Sequence, residues 1–174
     1  MKFIETSLPG VFEIELEPIV DERGFFARTF DAGPFTERGL PGRWAQHNLS
    51  RNLRRGTLRG LHGVKPGFEE AKLVSCTRGA IWDVVVDLRS DSPTQLQWHA
   101  VVLSAARGNA LFIPTGCLHG FQTLEDEADV FYCMSAPFDP EAAFSARFDD
   151  PKLGISWPLP EPVLSPRDQS HPNL

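Results

Sequence analysis

Proline and glycine recur along the whole chain rather than gathering in one segment. There are fifteen prolines and fourteen glycines in 174 residues. Proline interrupts helical hydrogen bonding and glycine supplies turn conformations, so residues spaced this closely leave little room for long helices. Many short strands joined by turns suit such a chain better. The pattern therefore predicts a β-rich fold.

Short stretches with strand character lie between these turns. In Val11–Glu17 the apolar residues alternate with acids, which is typical of a half-buried strand. Further β-rich stretches are predicted as strands: Ala71–Cys76, Ala80–Leu88, Trp98–Leu103, Ala110–Ile113, Gly120–Leu124 and Val130–Met134. The connection Thr77–Gly79 is short and contains glycine, which is consistent with a hairpin. Only Pro34–Arg38 and Pro140–Ala143 indicate helical turns.

This spacing of strands calls for an all-β sandwich or barrel. With 41% hydrophobic residues, the chain suits a single domain spanning 1–174. In Ala80–Leu88 the wholly apolar face is expected to be the buried one. Asp83 and Asp87 lie on the other face, where Asp87 is expected to meet solvent or pair with Arg89. Asp83 is left open.

Charge and cysteine content exclude several classes of protein. A net charge of −6 and a pI near 5.3 argue against a nucleic-acid-binding surface. The sequence shows neither a secretory signal nor an apolar stretch of membrane-spanning length, so we expect a cytoplasmic protein without membrane contact. Its three cysteines lack C-x-x-C spacing, which predicts neither disulfides nor a zinc knuckle.

Groups suited to acid–base chemistry are scattered along the chain. His62 ends the stretch Gly56–His62, Lys72 follows ten residues later, and Tyr132 and Asp168 lie far downstream. Histidine, tyrosine and carboxylate side chains transfer protons to and from reacting atoms. The set suggests an enzyme that removes a proton from carbon and returns it. These residues can meet only if distant strands converge, as in a jelly-roll barrel.

A series of motifs covers nearly the whole chain in a fixed order. It comprises Asp21–Phe26, Gln46–Ser50, Leu58–His62, Lys72–Val74, Asp83–Arg89, Ser92–Thr94, Ile113–Gly116, His119–Phe121, Asp149–Pro151, Gly154–Pro158 and Leu164–Asp168. The series closely resembles the dTDP-4-dehydrorhamnose 3,5-epimerase family. The resemblance implies a cofactor-free, metal-free, homodimeric cupin-like jelly roll with short peripheral helical turns. It would epimerise a nucleotide-linked 4-keto-6-deoxyhexose beside its ketone.

The resemblance also assigns roles to the scattered groups. His62 matches the family's base and Asp168 the carboxylate that orients it. Tyr132 matches the proton donor, and Lys72 the cation near the ketone oxygen. Arg59 and His119 match positions that line the same pocket, although His119 alone is equally well explained as a core histidine.

Other positions match those that hold the nucleotide. They are Arg23, Gln46 and Asn48, with Phe26 as a plausible aromatic wall for the base. In the family the segment around Arg23 reaches across to a neighbouring subunit, so the resemblance implies a homodimer.

The chain departs from the family pattern at four positions. Gly63 and Val64 stand where an aromatic residue and a glutamine are common, Arg28 where a glutamate contacts the nucleotide, and Phe138 where tyrosine is frequent. The proton-transfer set is intact, so we expect epimerisation, with the exact sugar and the inverted centre left open. Arg28 is retained as a substrate-binding residue.

Two other classes of function stay open at this point. A catalytically silent sugar-nucleotide binding protein would account for the altered surroundings of His62. A metal-dependent cupin would need an H-x-H pair with further ligands, whereas His62 and His119 are solitary.

Overall fold

Thirteen short strands and two helices of about one turn build the protein, and the computed structural model describes residues 1–174. The strands are Lys2–Glu5 (β1), Phe12–Glu15 (β2), Ile19–Asp21 (β3), Gly24–Phe26 (β4), Gln46–Asn52 (β5), Leu58–Val64 (β6), Lys72–Arg78 (β7), Ala80–Asp87 (β8), Trp98–Ser104 (β9), Ala110–Ile113 (β10), Cys117–Thr123 (β11), Ala128–Met134 (β12) and Ala143–Ser145 (β13). The helices are Ala32–Thr36 (α1) and Pro166–Gln169 (α2). Neither helix has the length and apolar character needed to cross a membrane.

Two antiparallel sheets face each other. One has six strands in the order β1-β2-β10-β7-β12-β5, and the other has five in the order β13-β6-β11-β8-β9. A separate ribbon is formed by β3 and β4 alone. Strands that are neighbours in a sheet are often distant in sequence, as in a jelly roll, so the predicted all-β architecture is confirmed.

Hydrophobic residues from both sheets meet between them. Val74 and Val130 of the six-stranded sheet pack in one cluster with Val85 and Phe121 of the five-stranded sheet. Side chains alternate along a strand, so the intervening residues point outward. Phe35 of α1 covers the outer face of the six-stranded sheet, while segments near the C-terminus cover that of the other.

The predicted hairpin across Thr77–Gly79 is wrong. Strand β7 pairs with β10 and β12, whereas β8 pairs with β11 and β9 in the opposite sheet. Gly79 has φ +73° and turns the chain from one sheet into the other. A short glycine-containing connection fits both outcomes locally, and only the packing of the two sheets decides between them.

The predictions for helical turns also need correction. The segment predicted at Pro140–Ala143 forms a turn without a helix, and β13 begins at Ala143. Helix α2 was not predicted, although the Ser165 side chain accepts a hydrogen bond from the Asp168 amide and Pro166 begins the helix. Both are recognised start signals for a helix. Helix α1 agrees approximately with its predicted position.

Strand β8 is buried on both faces, which differs from the expected division. The face carrying Asp83 and Asp87 points between the sheets together with Val85. Asp87 pairs with Arg89 as predicted, with 2.8 Å between the carboxylate and the guanidinium, yet its side chain is fully buried. The apolar face with Val84 and Val86 is covered by the C-terminal segments.

Candidate active site

A cavity of about 480 Å³ opens between the two sheets. Seven of the residues predicted for the site line it: Gln46, Asn48, Arg59, His62, Lys72, His119 and Tyr132. They occupy five different strands, so the antiparallel pairing of distant segments is what brings them together. Polar and charged side chains line the cavity together with hydrophobic ones.

Strand register explains the convergence. His62 on β6 lies opposite His119 on β11, and Tyr132 on β12 lies opposite Asn48 on β5. On β7, Lys72 shares the inward face with Val74 because side chains alternate along a strand. His62 and Tyr132 therefore lie on opposite sheets, which form opposite walls of the cavity.

His62 contacts the predicted carboxylate directly. Its Nε2 lies 2.7 Å from Oδ1 of Asp168, and the Ser165 hydroxyl donates a hydrogen bond of 2.7 Å to Oδ2. Burial by itself raises the pKa of the Asp168 carboxyl, but the hydrogen bonds from His62 and Ser165 outweigh it and hold the pKa at about 2. The carboxylate is thus ionised and can orient and stabilise an imidazolium.

Lys72 is a buried cation with a defined partner. It is 7% exposed, and its Nζ lies 3.2 Å from Oε1 of Glu70 and donates to the His62 carbonyl oxygen at 3.4 Å. Glu70 also lines the cavity but was not predicted. Pairing is what allows a charged group to remain in this largely buried place.

Tyr132 retains its proton readily. Burial raises the pKa of its phenol, the nearby positive charge of Arg59 lowers it, and the negative charge of Glu70 raises it, with a net increase. The side chain also packs against the apolar interior cluster. A half-buried, protonated phenol on the wall opposite His62 is suited to donating a proton.

A second histidine–aspartate pair borders the same cavity through His119. Nε2 of His119 is 2.7 Å from Oδ1 of Asp83, whose side chain is fully buried and whose Oδ2 has no hydrogen-bond partner. Burial raises the pKa of the Asp83 carboxyl, and the contact with His119 opposes that shift. His119 therefore lines the cavity and also has a hydrogen-bond partner in the interior. The two interpretations of this residue, as a pocket residue and as a core histidine, are compatible.

The polar groups towards β5 are fixed by local hydrogen bonds. Arg59 is exposed, and its Nε donates to Oδ1 of the buried Asn52 at 2.7 Å. Gln46 donates through Nε2 to the Ala136 carbonyl at 3.0 Å. These contacts hold donors of hydrogen bonds at the edge of the cavity.

Three predicted nucleotide-binding residues do not line this cavity. Arg23 and Phe26 belong to the β3–β4 ribbon, where Arg23 pairs with Asp21, and Arg28 pairs with Asp31 at 2.9 Å. All three are exposed. Within one chain, the ribbon and the cavity are separate.

Three of the four departures from the family pattern lie at the cavity wall, and Arg28 does not. Gly63, Val64 and Phe138 all line it. A Cβ added at Gly63 would lie 2.8 Å from the Cys117 carbonyl oxygen and 2.9 Å from Cδ2 of Leu118. Strand β11 therefore fills the space that a side chain at position 63 would need.

A third residue, His171, contacts the His62–Asp168 pair, and the sequence did not predict it. Its Nε2 lies 3.3 Å from Oδ1 of Asp168 and 3.4 Å from Nε2 of His62. These three side chains could together ligate a metal ion. Ser165 carried a helix-capping signal, but no sequence pattern pointed to His171 or Glu70.

Residues 5–174 match the family model described as dTDP-4-dehydrorhamnose 3,5-epimerase. The dTDP-4-dehydrorhamnose 3,5-epimerase of Methanothermobacter thermautotrophicus is 43% identical over 97% of this chain and 92% of its own length. The dTDP-4-dehydrorhamnose 3-epimerase of Streptomyces niveus is 41% identical over 97% of this chain and 82% of its own length.

A solved structure shows the same fold. The dTDP-6-deoxy-D-glucose-3,5-epimerase of Legionella pneumophila, in complex with dTDP-4-keto-L-rhamnose, superimposes with a TM-score of 0.92 at 40% identity. The match covers 99% of this chain and 92% of that one. The expected cupin-like jelly roll is thereby confirmed.

Proposed function

This chain belongs to the dTDP-4-dehydrorhamnose 3,5-epimerase family and is an epimerase of dTDP-linked 4-keto-6-deoxy sugars, and on that premise we propose that His62 and Tyr132 exchange protons with the carbons beside the C4 ketone. The observation that carries this proposal is the contact between His62 and Asp168 in a cavity whose opposite wall bears Tyr132. The ketone acidifies the hydrogens on its neighbouring carbons, which makes this chemistry accessible without a cofactor.

His62 is the general base in this proposal. It takes the proton from C3 or C5 while the electron pair of that C–H bond moves towards the C4 oxygen, which gives an enolate. The Asp168 carboxylate supports this role because it is ionised and stabilises the imidazolium that forms. Ser165 fixes the carboxylate from its other oxygen.

Lys72 stabilises the negative charge that develops on the C4 oxygen. Its burial supports this assignment, since a charge in a site with little water acts more strongly than one in bulk solvent. Glu70 and the His62 carbonyl hold the ammonium in place before the substrate arrives. His119, fixed by Asp83, supplies a further polar contact to the sugar.

Tyr132 returns a proton to the opposite face of the ring. Inversion requires the donor and the base on different sides of the carbon, and the two sheets present Tyr132 and His62 from opposite walls. The phenol O–H bond breaks as the new C–H bond forms, and the electrons of the enolate reform the ketone. Exchange with solvent then resets both side chains.

We propose that a second copy of this chain completes the nucleotide half of the site. The β3–β4 ribbon exposes four large apolar side chains with 64–72% of their surface accessible: Ile19, Val20, Phe25 and Phe26. A homodimer that buries this ribbon would carry the partner's Arg23 and Phe26 towards the cavity. Gln46, Asn48 and Arg59 already line it from the chain's own side.

Deuterium exchange tests the proposal. The protein is incubated in D₂O with dTDP-4-keto-6-deoxyglucose, and the sugar is analysed for deuterium at C3 and C5 and for inversion. We expect incorporation at one or both carbons, which also identifies the inverted centre. Binding of the nucleotide sugar without any exchange would instead support the catalytically silent alternative.

A further inference from the structure

Three side chains that commonly ligate metals converge at the proposed base, His62, which is one of them. Oδ1 of Asp168 lies 2.7 Å from Nε2 of His62 and 3.3 Å from Nε2 of His171, and the two imidazole nitrogens are 3.4 Å apart. The rings are almost perpendicular, at 89°. Proton abstraction uses His62 and Asp168, but it leaves His171 unexplained.

The distances suit a small divalent transition-metal ion. Zinc binds imidazole nitrogen and carboxylate oxygen at about 2.0–2.2 Å in tetrahedral geometry, which places neighbouring donor atoms roughly 3.3 Å apart. Two of the three donor separations already have this length, and the third, 2.7 Å, must open by about half an ångström. Two histidines with one carboxylate also form a recognised metal-binding set.

The geometry points to a divalent transition-metal site formed by His62, Asp168 and His171, in which Zn²⁺ replaces the hydrogen bond between His62 and Asp168 and so inhibits epimerisation. Metal binding stands on the donor geometry alone. Inhibition rests in addition on the proposed role of His62. The site is therefore an inhibitory one that competes with catalysis.

The buried ligands are held in place by their surroundings. The side chains of Asp168 and His171 are 6% and 8% exposed, and Ser165 bonds the second carboxylate oxygen. The segment after His171 is anchored because the Arg147 amide donates to the Pro172 carbonyl at 2.9 Å. Outer contacts of this kind orient metal ligands before the ion binds.

An ion can reach the site from the cavity. The His62 side chain is 42% exposed and lines the cavity, so water and ions have access to it. Arg167 opposes binding, because its positive charge acts on His171 from nearby. We therefore expect weaker binding than in structural zinc sites, which use more ligands and often thiolates.

Direct titration tests the metal site without reference to activity. Chelator-treated full-length protein is titrated with Zn²⁺ by calorimetry and with Co²⁺ by visible absorption. We expect one ion per chain. In His171→Gln the metal affinity should be at least tenfold weaker, since loss of a direct ligand should reduce affinity at least as much as loss of an outer contact. No saturable binding to the unaltered protein would overturn the inference.

The glutamine variant separates ligation from hydrogen bonding. Glutamine can still donate to Asp168 but is a poor ligand for zinc, so a purely hydrogen-bonding His171 predicts no change in Zn²⁺ affinity, and that result overturns the site. His99→Gln is the matched control, because His99 lies on β9, near Ser7 and outside the cavity. We expect its Zn²⁺ and Co²⁺ titrations to equal those of the unaltered protein.

Inhibition is measured separately with dTDP-4-keto-6-deoxyglucose. Zn²⁺ should inhibit the unaltered protein reversibly, and His171→Gln should need at least about ten times more Zn²⁺ relative to its own uninhibited rate. Zinc bound at this site without inhibition would contradict the role of His62 and leave the metal site standing. Absent zinc binding, with His62→Ala still abolishing exchange, would refute the metal site and leave the proposed function standing.

Discussion

The His62 imidazole and the Asp168 carboxylate are in hydrogen-bond contact at 2.7 Å although 106 residues separate them in the chain. Strand β6 positions the histidine, and the single turn of α2 positions the aspartate. The pair therefore depends on the C-terminal segment folding back against the five-stranded sheet. Any change that releases this segment should impair catalysis without touching His62.

Replacing the base gives the first prediction. His62→Ala should lower kcat by roughly 10²–10⁴-fold and abolish deuterium exchange, because a positioned general base is lost. Affinity for the nucleotide sugar should change little, as measured by calorimetry. His99→Gln, the control, should keep full exchange. If His62→Ala still exchanges deuterium at the normal rate, another residue is the base.

Tyr132→Phe separates the two proton transfers. The ring still packs against the interior cluster, but the phenol that donates a proton to the opposite face is gone. His62 can still remove a proton, exchange it with D₂O and return a deuteron to the same face of the ring, so we expect deuterium in the sugar with its configuration retained. Nuclear magnetic resonance of the product distinguishes retention from inversion, and inverted product at the normal rate would contradict the role of Tyr132.

The proposed homodimer predicts complementation between two impaired variants. Arg23→Ala should raise KM, and His62→Ala should be inactive. In a mixed dimer, the cavity of the Arg23→Ala chain has an intact His62 and receives Arg23 from the other chain. Co-expression of the two variants should therefore restore one normal site per mixed dimer, seen as a return of the low KM.

The matched control is a chain that carries both substitutions at once. Mixed with Arg23→Ala, it offers no intact Arg23 to any cavity and should restore nothing. The ribbon would not be part of the site if the protein sediments as a monomer. The same conclusion follows if the first mixture does not recover the low KM although mixed dimers are confirmed.

Gly63→Ala should destabilise the protein by about 1–3 kcal/mol, because the new Cβ meets backbone and side-chain atoms of β11. Gly33→Ala is a suitable control, since the nearest heavy atom to its Cβ is 3.6 Å away, and alanine favours a helix. Urea unfolding measures both. Equal stability of the Gly63→Ala and unaltered proteins would show that β11 yields easily at this position.

Asp87 predicts a pH-dependent stability. Burial raises the pKa of its carboxyl, but hydrogen bonds from Arg89, Ser92 and Thr94 more than compensate and depress it below the unfolded value of about 3.9. The stabilisation is thus fully present above the unfolded pKa and is lost as the pH falls through the folded pKa. Asp87→Asn should cost about 3–5 kcal/mol at pH 7.

The difference in the free energy of unfolding between Asp87→Asn and the unaltered protein should stay constant from pH 8 to about pH 5 and become smaller below pH 4. Urea unfolding at each pH measures it, and the exposed Asp91→Asn is the control. The same difference at pH 7 and pH 2.5 would show that Asp87 does not act through its charge.

The sequence by itself determined the class of fold and predicted most of the residues that line the candidate site. Closely spaced prolines and glycines excluded long helices, and the alternation around Ile14 and the apolar residues of β8 marked strands. The family resemblance supplied His62, Lys72, Tyr132 and His119, which the structure brings to one cavity. The strand predictions succeeded because residue type and order constrain strand formation locally.

Only the tertiary structure decided which sheet each strand joins and which charges meet. It divided β7 and β8 between two sheets, turned Asp83 inward to His119, and placed His171 beside Asp168. It also kept Arg23 apart from the cavity of its own chain. The physical reason is that pairing between distant strands, and the burial that follows from it, depend on packing across the whole molecule, which no local pattern records.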